Sequence, residues 1–148
     1  MRKKLGIFNQ EEEDIKLAED LLMLMQKNKS DFTNTFRALA QESIESSAPY
    51  QEAGFKNWLM LWKARLSRQK ETFADSIVLM QSVNPAVIPR NHLVEEALDA
   101  AVNNSDMTPL HSLLSVLSNP YAALDHSSKY IQAPALLFDQ QYKTFCGT

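Results

Sequence analysis

The chain has 148 residues, enough for one domain that buries about two-thirds of its unfolded surface. Its hydrophobic share of 45% and charged share of 22% are those of an ordinary globular protein. The net charge is −3, and apart from Arg2-Lys3-Lys4 the basic residues are scattered. This argues weakly against non-specific nucleic-acid binding, which needs a basic face to displace counterions from phosphates.

No segment approaches the run of about 20 apolar residues that crosses a bilayer. Met1-Arg2-Lys3-Lys4 resembles the start of a signal peptide, but residues 9–14 are polar and acidic where an apolar core should follow. A single cysteine excludes an internal disulfide framework and a cysteine-based zinc site. Together these features point to a reducing, intracellular compartment.

The pattern is helical nearly throughout and predicts an all-α fold, a bundle of about five to six helices followed by an irregular tail. Asn9 is a suitable N-cap, with Glu12 at the capping-box position and Glu11 and Glu13 in the positive first turn. Ile15, Ala18, Leu22 and Met25 then recur at helical spacing, and the all-round apolar stretch 21–25 predicts deep burial. Lys27-Asn28-Lys29 closes this helix. Ser30 or Asp31 caps a second one with Phe32, Phe36, Leu39 and Ala40 on its stripe, and Ser46-Ser47-Ala48-Pro49 reads as a loop.

A third helix begins near Gly54. Its inward face is Phe55, Trp58, Leu59, Trp62 and Leu66, with Lys56, Lys63 and Arg68 on the wet side. A fourth spans 73–83 and ends at Asn84-Pro85, because proline disfavours helical geometry in the residue before it. An extended stretch follows to Pro89. Leu93, Val94, Ala97, Leu98 and Ala101 mark a fifth helix, which ends at Asn103-Asn104. Thr108 caps the sixth, with Pro109 where a missing N–H costs nothing, and Leu110, Leu113, Leu114 and Leu117 facing inward. Asn119-Pro120 stops it. The expected division is 1–120, helical, and 121–148, an apolar and aromatic tail. Tyr130, Leu136, Leu137, Phe138, Tyr142 and Phe145 follow no single period there, which suits a segment lying across these helices or across an absent body.

Few residues suggest chemistry. Thr108-Pro109-Leu110-His111 matches the opening of an ankyrin repeat but does not recur at a period of about 33 residues, so it reads as a capped helix start. His92, His111 and His126 share no i,i+4 spacing, and no zinc motif is present. The acidic pairs at 11–13 and 95–96 fall at helix starts, where the backbone dipole accounts for them. With three glycines and no phosphate-binding motif, a nucleotide cradle is absent from the sequence. Trp58 and Trp62 sit one turn apart and read as core before base-stacking platform. Arg90-Asn91 is less easily explained, because an arginine in a first helical turn opposes the dipole. Its guanidinium either bonds carbonyls around the Asn84-Pro85 turn, meets an acidic group on a partner, or serves catalysis through phosphate contacts.

The order of these signals resembles the C-terminal region of the selenoprotein O family. The resemblance runs through Met1-Arg2-Lys3-Lys4-Leu5-Gly6, Asp20-Leu21-Leu22, Ser30-Asp31-Phe32-Thr33-Asn34-Thr35-Phe36-Arg37 and Trp58. It continues through Met80-Gln81-Ser82-Val83-Asn84-Pro85, Arg90-Asn91, Asp106-Met107-Thr108 and Asn119-Pro120-Tyr121. The family looks like protein kinases but transfers AMP from ATP to protein hydroxyls with a divalent metal. Its nucleotide-binding lysine, metal-binding acids and glycine loop lie upstream of the matched region, so no catalytic residue and no metal site carries over.

The resemblance implies a missing N-terminal kinase-like body as partner, with ATP and Mg²⁺ held by that body and protein substrates that meet it. It also implies a cytoplasmic location in a bacterium, or a mitochondrial one in a eukaryote, and an internal origin for Met1. Asn84, Pro85, Arg90 and Asn91 are the candidate structural or domain contacts. Cys146 stands where the family carries a terminal cysteine or selenocysteine and is the candidate redox group. The ending Cys146-Gly147-Thr148 departs from the bacterial Cys-Ser-Ser but keeps the thiol. The chain alone is expected to be inactive and to self-associate through an exposed apolar patch. The alternative is a free-standing helical adaptor without enzymatic activity, which an open reading frame upstream of Met1 would exclude.

Overall fold

A computed structural model describes residues 1–41, 44, 50–125 and 127–134. Among these the regular structure is a 3-10 turn, Arg2–Leu5, and six α-helices, with no strand. The helices are α1 Asp14–Lys27, α2 Phe32–Ala38, α3 Ala53–Leu66, α4 Phe73–Val83, α5 Asn91–Asn104 and α6 Thr108–Leu117. The expected all-α class is the observed one. The chain packs as two units, residues 1–86 and 87–148. The boundary falls in the extended stretch after Asn84-Pro85, and the division expected at 120 lies inside the second unit.

In the first unit α1 packs on α3 and on the N-terminal turn, and α4 packs on the turn and on α2. The predicted α3 stripe of Phe55, Trp58, Leu59, Trp62 and Leu66 is entirely buried. Trp58 and Trp62 stack with centroids 5.9 Å apart, and their indole N–H groups donate to the carbonyls of Leu17 and Leu5, each at 2.8 Å. They are core residues. On α1 the expectation of deep burial at 21–25 holds only for one face. Leu21 and Met25 are buried against α3, while Leu22 and Met23 are exposed, because no element among the described residues of this unit covers the outer side of the helix.

The N-terminal turn is held unusually tightly. Three successive carbonyls accept side-chain hydrogen bonds: Lys4 from Asn84 Nδ2 (2.9 Å), Leu5 from Trp62 Nε1 (2.8 Å) and Gly6 from Gln69 Nε2 (3.1 Å). Gly6 ends the turn with φ +72°, a left-handed conformation. A Cβ there would lie 2.9 Å from the Cβ of Ser76 on α4. Both the dihedral and the close approach require glycine.

The predicted cap at Asn9 is not used, and α1 begins only at Asp14. The residues before it turn back to serve arginines at the end of α3. Arg65, with its side chain 2% exposed, grips the equally buried Asp14 through Nε–Oδ1 at 2.6 Å and Nη2–Oδ2 at 3.3 Å. Its Nη2 also donates to the carbonyl and Oδ1 of Asn9, and its Nη1 lies 3.2 Å from Glu11. Arg68 pairs with Glu11 at 2.6 Å. The acidic run is therefore an arginine clamp between α1 and α3 as well as a dipole partner.

Elsewhere local signals and structure agree. Asp31 caps α2 by accepting from the Asn34 N–H at 2.8 Å, and Thr72 with Asp75 forms a reciprocal capping box on α4. Asn84 after α4 has extended geometry (φ −106°, ψ 105°), as its position before Pro85 dictates. In the second unit α5 and α6 pack through Leu93, Ala97 and Leu113, with Val94, Leu110, Leu117 and Tyr130 partly buried around them. Leu98 and Leu114, predicted inward, are exposed. Asp106, not Thr108, supplies the acceptor at the start of α6, taking the Thr108 N–H at 2.9 Å. Pro109 stands in the first turn as expected. No helix is long and apolar enough to cross a membrane among the described residues.

Replacing Gly6 with Ala should lower the stability of the first unit by about 3 kcal/mol, from left-handed strain and the Ser76 clash together. Denaturant unfolding checks this. The carboxylate clamp makes a separate prediction about pH. Burial opposes ionisation of Asp14, but the Arg65 hydrogen bond, the Glu11 amide and the Arg65 charge outweigh it and hold the pKa below the ordinary aspartate value. The Arg68 hydrogen bond likewise lowers Glu11. Groups with depressed folded pKa values stabilise fully above their unfolded values of about 4, and that stability disappears as pH falls through the folded ones. Unfolding midpoints should therefore drop below pH of about 4. Asp14→Ala should cost about 3–5 kcal/mol at neutral pH, by leaving Arg65 buried without its partner, and should flatten the acid limb. An acid limb of unchanged slope in the variant would remove Asp14 from this role.

Candidate functional site

The sequence candidates occupy two places. Asn84 and Pro85 belong to the first unit, Arg90 and Asn91 to the second. Asn84 is completely buried and acts as a clip. Its amide N–H donates to the carbonyls of Lys4 (2.9 Å) and Phe36 (3.4 Å), and its Oδ1 accepts from Lys4 Nζ at 3.2 Å. That ammonium also reaches the Val83 carbonyl at 3.5 Å and lies 5.6 Å from the Phe36 ring centroid. Three elements meet at this one side chain: the N-terminal turn, α2 and the end of α4.

Arg90 is the buried cap residue of α5, and its Nη2 donates to the Ile131 carbonyl at 3.3 Å. That acceptor belongs to the segment after α6. The carbonyls at the end of α4 accept from Arg37, whose Nη1 donates to Gln81 (3.2 Å) and Asn84 (3.1 Å). Asn91 is exposed at the start of α5. Cys146 and His126 lie outside the described residues, as do Leu136, Leu137, Phe138, Tyr142 and Phe145.

Periodicity alone did not single out Arg65, Lys4, Arg37 or Gln69. A signal existed for the first of these. Arg65 stands three residues after Trp62, on the stripe that also carries Phe55, Trp58 and Leu59, so helical spacing puts a guanidinium on a buried face. A buried arginine requires an acidic partner. The run at 11–14, four acids in succession, is the densest source of one in the sequence.

The buried polar groups Asn84, Asp14 and Arg65 of the first unit are engaged within it, and their chemistry is that of clamps. Among the described residues no group of three His, Cys, Asp or Glu side chains is arranged to hold a metal ion. The first unit also presents apolar side chains outward. A groove of about 700 Å³ runs between the N-terminal turn and α1, floored by Ile7, Ala18 and the exposed side chains of Met1, Phe8, Ile15 and Leu22. A second one of about 340 Å³ between α1 and α3 carries Met23, Leu24, Trp58 and Leu61. Patches of this kind mark surfaces made for contact with other protein.

Comparison with known proteins gives this surface its context. The family described as protein adenylyltransferase SelO matches residues 1–118. Proteins called protein nucleotidyltransferase YdiU match over all 148 residues: one from Alkaliphilus metalliredigens at 51% identity, one from Alcanivorax borkumensis at 50% and one from Bacillus cereus at 47%. The chain spans 30% of the length of each of these relatives. With the family match covering most of its residues, the chain belongs to the protein adenylyltransferase SelO family.

Proposed function

We propose that these residues are the C-terminal helical part of a bacterial, cytoplasmic protein adenylyltransferase, and that they supply packing surface to a kinase-like body in which the transfer takes place. The observation that carries this is the pairing of full-length similarity on this side with 30% coverage on the relatives' side. The apolar outer face of α1 supports it.

In this reading the larger part holds ATP and Mg²⁺. A Ser, Thr or Tyr hydroxyl of a protein substrate attacks the α-phosphorus, the bond to the pyrophosphate breaks, and AMP remains on the substrate oxygen. The helices described above contribute no group to that step. Arg90 and Asn91 are contact residues, and Cys146 is a redox thiol that pairs with a cysteine elsewhere in the longer polypeptide. An ordinary thiol, with pKa of about 8.5, is mostly protonated at neutral pH, so such a role needs a partner surface that lowers it.

The test is a chimera in which this chain replaces the matching 148 residues of the Alkaliphilus metalliredigens relative. With ATP and Mg²⁺ the chimera should transfer AMP to protein at a rate comparable to that relative, and the 148-residue chain alone should stay at background. AMP label on the isolated chain, or a folded but inert chimera beside an active relative, overturns the proposal. Cys146→Ser in the chimera should leave transfer under reducing conditions unchanged and abolish any difference between oxidised and reduced protein.

A further inference from the structure

The groove between the N-terminal turn and α1 has features that select its occupant. We infer that it seats the stretch of the longer family polypeptide that immediately precedes residue 1, and that this stretch is apolar with acidic side chains. The inference rests on the reading above and adds to it the surface and the segment.

The first observation is a stripe without a partner. Ile15 and Leu22 are seven residues apart on α1, two helical turns and about 10 Å along the axis. Helical spacing puts them beside the buried Ala18, yet Ile15 is 68% exposed and Leu22 36%. Phe8 and Met1, both exposed, continue the same surface across the groove.

The second is where the chain enters. Met1 is itself a wall of the groove, and the turn that follows it is pinned through the Lys4, Leu5 and Gly6 carbonyls. A polypeptide continuing upstream of Met1 therefore emerges at this surface and cannot be swung away from it by the turn. The chain amounts to 30% of its relatives' length, so most of the family polypeptide lies outside it. An extended segment covers the Ile15 to Leu22 span with about three or four residues. Linkage by a single peptide bond gives those residues a high effective concentration over the groove.

The third is charge. Arg2 and Lys3 are exposed on the groove wall, and Asp14, which also borders it, is already committed to Arg65. Glu19 is the remaining acid of the lining. The wall at the entry point is thus cationic, and a segment crossing it gains from acidic side chains and loses from basic ones.

Carbene footprinting of Phe8, Ile15 and Leu22 tests this, read in the isolated chain, in the chimera, and in a chimera whose segment immediately before residue 1 is replaced by a Gly-Ser linker of equal length. The expected result is strong labelling in the isolated chain, a several-fold fall in the chimera and recovery with the linker. Ile15→Lys should leave the melting temperature of the isolated chain unchanged and lower that of the chimera. Labelling in the chimera equal to that of the isolated chain overturns the inference. Protection that survives the linker does so too, since another part of the polypeptide then covers the groove. Protection in the chimera that appears only as its concentration rises makes a second copy the occupant and also overturns it. Footprints and AMP transfer are read on the same samples: an active chimera with an unprotected groove sinks this inference alone, and a protected but inert chimera sinks the functional reading alone.

Discussion

The first unit depends on three adjacent carbonyls. Those of Lys4, Leu5 and Gly6 each receive a hydrogen bond from a side chain anchored in a different place: Asn84 after α4, Trp62 within α3 and Gln69 between them. A 3-10 turn at the edge of a unit has few backbone partners of its own and would ordinarily fray. Here removing Trp62 leaves the buried Leu5 carbonyl without a partner, which costs about 1–3 kcal/mol, and the part-buried Lys4 and Gly6 carbonyls cost less. The turn is thereby tied to α3, to α4 and to the loop between them. The left-handed Gly6 follows from the same constraint, since only a glycine lets the turn come within contact distance of Ser76.

Much of this organisation was legible in the sequence, for reasons that differ by element. The α3 stripe is a strict helical repeat of large apolar residues, and a repeat of that strength has one physical solution, burial on one face. The end of α4 at Asn84 was legible because proline acts on its predecessor through local sterics alone. Polar contacts between distant positions were not. Nothing near Asn84 in the chain says that its amide will meet Lys4 and Phe36, because those partners come together only once the turn, α2 and α4 have packed. The cap at Asn9 failed for the same reason. The pattern there satisfies every local rule, but Arg65, far along the chain and buried, competes for Asn9 and Asp14 and wins because an uncompensated buried guanidinium is the costlier outcome.

Arginines show the limit in a different way. A cation that binds the free carbonyls of a proline-terminated helix is sound chemistry, but the sequence does not say which cation will reach them. Arg37 does that work at the end of α4, while Arg90 bonds Ile131. Charge type and local context define the job, and tertiary distance decides which arginine performs it.

The outer face of α1 is where sequence and structure disagree most usefully. Periodicity places Ile15 and Leu22 on a buried stripe, and the apolar run at 21–25 demands burial all round. Within the unit, α3 and the N-terminal turn cover only part of the helix. Nothing in α1's own composition is out of order, since its exposed apolar side chains lie at the same spacing as its buried ones. A helix with two apolar faces and one covered face has the pattern of a core helix in a larger body. The mismatch is that of a helix whose second apolar face meets no other element among the described residues, in a chain that spans 30% of its relatives' length. The same surface would be a solubility liability in a protein that used it for nothing, because contiguous exposed apolar patches invite association. The pinned turn ties these facts together: the interactions that keep residues 1–8 in place also hold Met1 and Phe8 across from Ile15, so the groove borders a turn held by three side-chain hydrogen bonds and not a loosely packed end.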